Sequence, residues 1–287
     1  MSPTRQGEAT TADEHVAPPE AWDAIAEGYD RHVAPQEVDL ANEALRLVGL
    51  EPGERFLDVA AGPGGLGLPA ARLGAQVVAT DWSPAMLERF EARVRREGLN
   101  AEGRVMDCHD LDLPGSSFDV TGSQFGVMLV PDQPRALREM VRVTKPGGRV
   151  LVIAYRLPAE LEFLQLFVGA LKVVAPEFPG LPDDPPPLEF QVSDPDVLRK
   201  RLSDAGLKDV RIERTAERPA FRSGQELWDW VLYGNPIPGA LLADFDKRQR
   251  ERLREVLDGM VRERAGADGR AVLANAVNIG IGTKPRA

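Results

Sequence analysis

The stretch FLDVAAGPGGLG, residues 56–67, closes an apolar run on an acid and then crowds glycines behind it. Gly62, Gly64 and Gly67 fall in a G-x-G-x-x-G spacing. Residues without a Cβ let a strand turn sharply into a helix and let backbone approach a ligand closely. Asp58 stands four residues before the first glycine, and Asp81 nineteen residues after it, at the end of the next apolar run. A phosphate-binding P-loop closes on Lys-Ser/Thr; here Leu68 and Pro69 follow, which excludes it. A dinucleotide such as NAD(P) is matched by the glycine spacing and by Asp81, whose two carboxylate oxygens suit a ribose hydroxyl pair. Against it, Asp58 adds negative charge where a pyrophosphate would lie. Nor does any tyrosine have a lysine four residues on, the pair expected of one large dehydrogenase class.

A third chemistry reverses that electrostatic objection. The methionine end of S-adenosylmethionine carries an ammonium, a carboxylate and a sulfonium but no phosphate, so an acid near the loop helps to organise its cationic end. Asp81 then takes the ribose hydroxyls.

The elements that must position these residues alternate. RFLDV (55–59), QVVATD (76–81), GRVMD (103–107), FDVTGSQF (118–125) and RVLVIAY (149–155) read as strands. The last is apolar enough to be covered on both faces, as in a parallel sheet. Ser83-Pro84 supplies an N-cap and a first-turn proline for a helix carrying Met86, Phe90 and Val94 on one face. Gly74 suits a helix C-cap, with Pro69 limiting where that helix begins. Asp132 and Pro134 open another helix, and VLRKRLSDAGL resembles a sheet-covering one. KDVRIERTAE (208–217) and AVNIGIGTK (276–284) complete seven strands. Strands alternating with helices give an α/β, doubly wound, mostly parallel sheet. FPGLPDDPPPLEF, within residues 156–190, is a loop by composition.

LDVAAGPGG, ATDWSPAML, MDCHDLDLPGSSFDV and LREMVRVTKPGGRVLV, in that order, resemble the successive motifs of class I S-adenosylmethionine-dependent methyltransferases. The likeness is strongest to the branch that includes ubiquinone and menaquinone biosynthesis enzymes, whose N-terminal helix is similar to AWDAIAEGYDRHV. It covers about residues 22–155 and implies a Rossmann-like methyltransferase fold with helical cap insertions. It also implies that Asp58, Ala60, Ala61, Gly62 and Gly64 surround the methionine moiety, with Ala60 standing where the family usually has glycine. Asp81 resembles the ribose-binding acid; Trp82 lies against adenine and Met86 lines the adenosine pocket, or both are ordinary core. Asp107 matches the acid that accepts the adenine amino group, and the Cys108 backbone pairs with a ring nitrogen. Gln124 borders the methionine carboxyl and the sulfonium.

Trp22, Ile25, Ala26 and Tyr29 fall at i, i+3, i+4 and i+7, one helical face that should be buried and that in the family covers the cofactor. Tyr29 then lies near the methionine end, and His32 within reach of the active-site mouth; these are the catalytic candidates. His15 reads as idle and His109 as structural or exposed. Many relatives carry a histidine after the fourth strand, where this chain has VMLVPD, with Met128 and Leu129 making the pocket floor greasier. Methyl transfer by in-line displacement needs distance and alignment, and a base only when the nucleophile must lose a proton. The activity expected is methyl transfer to a small molecule, partly apolar if the aromatic residues of the inserts at 156–192 and 218–275 cover the carboxyl edge of the sheet, with a non-catalytic cofactor-binding protein and an NAD(P)-dependent oxidoreductase as the rival readings.

The chain has 287 residues, 43% hydrophobic and 28% charged, with a net charge of −10 and one cysteine. That acidity argues against nucleic acid as a partner. A lone Cys108 fits a reducing compartment. No apolar run reaches the ~18 residues of a membrane helix; a cytoplasmic location and no bound metal are expected. The organisation expected is a disordered tail at 1–18, then N-terminal helices and cofactor core at 19–155. A cap insertion and returning helix follow at 156–207, and the last two strands at 208–287, around a helical insert at 218–275. Phe163, Leu166, Phe167 and Leu171 form a helical stripe in the first insert, and Phe221, Trp228, Trp230 and Tyr233 cluster in the second. These aromatics cover the acceptor, pack only on one another as a lid, or form a homodimer surface.

Overall fold

A computed structural model describes residues 17–182 and 184–286. Most of the tail expected at 1–18 therefore lies outside the described residues. The first element among the described residues is α1 (Pro19–Gly28), which runs into a π-helical turn (Tyr29–Val33). Then come α2 (Val38–Val48), β1 (Arg55–Val59), α3 (Gly67–Arg72), β2 (Gln76–Asp81), α4 (Pro84–Glu97) and β3 (Ala101–Val105). They are followed by β4 (Phe118–Gln124), α5 (Gln133–Val143), β5 (Thr144–Tyr155), α6 (Glu162–Val174) and α7 (Pro195–Asp204). The last part comprises β6 (Lys208–Glu217), β7 (Ala220–Phe221), α8 (Gly224–Gly234), α9 (Pro236–Leu241), α10 (Lys247–Arg264), β8 (Ala271–Val272) and β9 (Asn275–Thr283).

The seven-stranded sheet has the order β3-β2-β1-β4-β5-β9-β6. The first five strands pair in parallel, and β9 runs antiparallel to both β5 and β6. This is the doubly wound α/β fold expected. Strand order reverses at β1 and β4, so the connections leaving their carboxyl ends diverge and open a crevice there. Phe56, Leu57, Val120 and Val150 to Ala154 are fully buried, because helices cover both faces. Local chemistry agrees with the topology. Ser83 Oγ accepts from Met86 N–H at 3.2 Å and Asp132 Oδ1 from Arg135 N–H at 3.0 Å. Caps of this kind are worth about 1 kcal/mol each.

Among the described residues, most buried apolar side chains fall into two clusters. One lies between the sheet and its helices. The other joins Phe167 and Leu171 of α6 to Trp230 and Val231 of α8, Leu253 and Leu257 of α10, and Val33. The β7–β8 pair ties the second insert's ends together. The inserts are thus one packed cap, although they lie far apart in sequence. Among the described residues, no helix is long and apolar enough to cross a membrane.

Helix α1 is tethered to α4. Asp23 Oδ1 accepts from Ser83 Oγ at 2.5 Å and from Ala85 N–H at 3.1 Å, and Arg93 binds the Asp30 carboxylate at 2.5 Å. Ala26 is buried, while Trp22, Ile25 and Tyr29 are half-buried, since Trp22 and Tyr29 face a cavity. Asp23→Ala removes an anchor shared by two helices. It is expected to weaken S-adenosylhomocysteine binding about tenfold, as fits a charged hydrogen bond worth ~1.5 kcal/mol. Calorimetry reads the affinity and hydrogen exchange over residues 19–33 reads the tether; no change in either would remove that role.

Candidate functional site

The crevice at the β1/β4 divergence is a cavity of about 1690 Å³, counted through its open mouth. The ends of four parallel strands build its floor: Ala60, Ala61 and Gly62 after β1, Asp81 and Trp82 after β2, Met106 to His109 after β3, and Gln124 to Gly126 after β4. Tyr29, Glu37 and Met86 join this wall.

Each carboxylate here has a distinct task. Asp81 Oδ2 accepts from Gly62 N–H at 2.8 Å, and its Oδ1 from Ser83 N–H at 2.9 Å. It ties the glycine loop to the start of α4 while facing the cavity. Burial raises its pKa against the pull of those amides. Asp58 Oδ2 accepts from Gly67 N–H at 2.7 Å. It is fully buried behind the loop, and burial pushes it up to about 7. Asp107 Oδ1 is bonded to both His109 N–H and His109 Nδ1, at 2.9 and 2.7 Å. Asp107, Cys108 and His109 bring ligand atoms within 4.8 Å of one another. Burial, however, pushes the Cys108 thiol up to about 12, and a metal takes the thiolate.

The loop's backbone explains its glycines and its one departure. Gly64 has φ +99°, and a Cβ there would meet the Phe90 ring at 2.5 Å. Ala60 also sits in the left-handed region, at φ 51°, which costs a residue with a Cβ about 1–2 kcal/mol. Its methyl fits because Gly126 stands opposite: a Cβ on Gly126 would lie 2.5 Å from that of Ala60.

Glu37, Tyr155 and Glu217 carry no motif in the sequence, yet they make the site's buried polar network. Tyr29 Oη donates to Glu37 Oε1 at 3.0 Å, and Gln124 Nε2 to Glu37 Oε2 at 3.4 Å. Tyr155 Oη and Asn275 Nδ2 donate to Glu217 Oε1 at 2.9 and 3.0 Å. Burial pushes Glu37 up to about 7 and Glu217 up to about 8, and it raises both tyrosines further above their ordinary range.

The cap supplies the opposite wall with Phe163, Phe167, Leu171, Phe178 and Trp230. Ring centroids run Phe125–Tyr155 at 4.4 Å, Tyr155–Phe163 at 5.7 Å and Phe163–Trp230 at 5.0 Å, a continuous aromatic band. Met128 and Leu129 extend it across the floor. No lysine or arginine is among the described residues lining the cavity.

Of the residues singled out from sequence, Tyr29, Ala60, Ala61, Gly62, Asp81, Trp82, Met86, Asp107, Cys108 and Gln124 share this wall. Asp58 and Gly64 stand behind it and shape the loop. His32 is not in the lining: its ring stacks on Tyr233 at 5.5 Å. His109 lines the cavity.

The glycine cradle, the free face of Asp81 and the buried Gln124 Oε1, which has no partner among the described residues, fit an adenosyl ligand with a polar, charged tail. A family model described as a methyltransferase domain matches residues 57–152. An uncharacterized protein of Mycobacterium tuberculosis is 38% identical over 143 residues, 50% of this chain and 50% of its own length. The match thus spans half the length of that relative. The demethylmenaquinone methyltransferase of Renibacterium salmoninarum is 31% identical over 228 residues, 71% of this chain and 94% of that enzyme. In fold the chain is similar to the YcgJ protein of Bacillus subtilis, with a TM-score of 0.57 and 16% identity over 86% of this chain and 98% of that one. It is also similar to phosphoethanolamine N-methyltransferase 2 of Haemonchus contortus, solved with phosphomonomethylethanolamine and S-adenosylhomocysteine; the TM-score is 0.54 and the identity 20%, over 86% of this chain and 53% of that one. A relative matched almost from end to end at this identity carries the assignment: the chain belongs to the class I S-adenosylmethionine-dependent methyltransferases, in the branch that includes the demethylmenaquinone methyltransferases.

Proposed function

We propose that this chain methylates a small, largely apolar acceptor that bears no phosphate or carboxylate. The reading is carried by one observation: a single cavity joins the glycine loop to an aromatic wall and has no lysine or arginine in its described lining. An anionic acceptor would enter beside Glu37 and Asp81 with no lysine or arginine of the described lining to meet it, at a desolvation cost. The phosphorylated ligand of the Haemonchus relative is therefore a poor model for the acceptor here. The same cavity is lined by the glycine loop and by the aromatic residues of the cap, so cofactor and acceptor can meet within it.

S-adenosylmethionine supplies, when bound, a methyl group on positively charged sulfur. The protein's part is then alignment and exclusion of water. Asp81 holds the adenosine sugar, Asp107 and the Cys108 backbone the adenine, and Trp82 and Met86 flank it. The band from Phe125 to Trp230 holds the acceptor's apolar body, and Trp230 Nε1–H, buried without a partner among the described residues, offers a donor to an acceptor oxygen. Tyr29 acts through Glu37; His32 has no part in the chemistry.

The test has two stages. Calorimetry with S-adenosylhomocysteine and with NADH should give tight binding of the first alone; tight NADH binding would restore the oxidoreductase. Methyl-labelled cofactor offered with a panel of hydroxylated and amino-substituted aromatic compounds, against phosphorylated and carboxylated counterparts, should yield labelled product only from the uncharged or amine members. Binding without product across the panel would favour a non-catalytic role.

A further inference from the structure

The cationic end of the cofactor calls for an acid at the glycine loop, yet Asp58 is turned away onto Gly67. Another carboxylate occupies the place. Glu37 stands at the N-cap position of α2, but its side chain makes no capping bond there and reaches into the cavity instead. It is 4% exposed. A Cβ on Gly65 would lie 3.6 Å from Glu37 Oε2 and 3.4 Å from Gln124 Nε2, so the pair hangs over the loop itself. Each Glu37 oxygen has one donor, Tyr29 Oη or Gln124 Nε2. A carboxylate offers about four lone-pair sites, so both oxygens have capacity left. Gln124 Oε1, buried and without a protein partner among the described residues, adds an acceptor nearby. No described lining residue supplies a balancing cation.

We propose that Glu37 is the group that receives the α-ammonium of the cofactor's methionine end, with Gln124 Oε1 as second acceptor and Tyr29 holding the carboxylate in place. This rests on the S-adenosylmethionine reading of the cavity and adds to it a residue outside the family's glycine motif. An ammonium favours ionised Glu37, so binding expels a proton wherever the free protein holds one. Burial pushes free Glu37 up to about 7. Affinity for an ammonium-bearing ligand therefore rises with pH up to about 7 and levels off above it. Tyr29, Tyr155, Asp58 and Glu217 are the titratable groups that interact with Glu37. Asp58 and Glu217 can also titrate in this window, so the pH dependence must be read against a variant lacking Glu37 alone.

The experiment titrates the full chain and Glu37→Gln with S-adenosylhomocysteine and with 5′-methylthioadenosine, which lacks the amino-acid end, between about pH 5.5 and 7.5, where the α-amino group stays charged. Glu37→Gln should weaken S-adenosylhomocysteine about tenfold or more. 5′-Methylthioadenosine should hold within about twofold and so report an intact fold. The rise with pH should be present in the wild type and absent from the variant. Equal S-adenosylhomocysteine affinity in the two proteins, or a parallel loss of both ligands, would overturn the role of Glu37. A wild type that binds neither ligand would overturn the cofactor reading beneath it.

Discussion

Asp81→Ala is expected to weaken S-adenosylhomocysteine binding by about 100-fold or more. The carboxylate bonds to two backbone amides, Gly62 at 2.8 Å and Ser83 at 2.9 Å, and still presents oxygen lone pairs to the cavity. A charged hydrogen bond is worth about 1.5–3 kcal/mol, and two to a ribose diol exceed the ~2.7 kcal/mol that corresponds to a hundredfold. The same substitution frees the glycine loop from α4, so stability should fall by about 1–3 kcal/mol as well. Ligand truncation separates the two effects. If Asp81 holds the sugar, 2′,3′-dideoxyadenosine should bind wild type and variant with similar, weak affinity. A variant that keeps wild-type S-adenosylhomocysteine affinity would remove Asp81 from the ribose.

What sequence could and could not reveal follows the physics of each residue. The apolar runs at Phe56 and Val150 announce central strands because burial on both faces leaves no polar alternation to blur them. The edge strand was harder to place. GRVMD suggests a strand at 103–107, whereas β3 spans Ala101–Val105 in register with β2, Val77 opposite Ala101 and Asp81 opposite Val105. An edge strand with Glu102, Arg104 and Val105 exposed has little apolar pattern to fix its ends. The two-residue shift matters, since it frees Met106 and Asp107 to reach the cavity. The motif acids were visible as residue types, but a motif does not say which way a carboxylate points. Asp58 faces Gly67, and Glu37, one acid among several in QEVDLANE, is the one over the loop. Burial of Glu37 arises only when Tyr29 and Gln124, 87 residues from it, close around it. The aromatic stripes of the inserts were legible. Their meeting at Phe163 and Trp230 was not, because it depends on packing between distant segments.

Trp230→Ala should cost about 3 kcal/mol of stability and leave the cofactor wall in working order. The indole is 4% exposed and meets Phe163 and Phe221 edge to face, with centroids at 5.0 and 5.8 Å. Large-to-small changes at buried tryptophan cost about 3–5 kcal/mol, and a side chain bordering an existing cavity belongs near the lower bound. At roughly 2–4 °C per kcal/mol, Tm should drop by about 6–12 °C. The packing explains why the damage stays local. Trp230 belongs to the cluster of α6, α8 and α10, whereas the glycine loop is backed by the sheet's own cluster through Leu66, Leu68 and Phe90. S-adenosylhomocysteine affinity, measured well below the lowered Tm, should stay within about twofold as long as Tyr29, which packs against the cap cluster, keeps its bond to Glu37. Trp230→Phe keeps the ring but removes the indole N–H, and should recover most of the stability. An S-adenosylhomocysteine affinity that fell in step with Tm would make cap and cofactor wall one cooperative unit, and the division between a donor half and an acceptor half of the cavity would have to be given up.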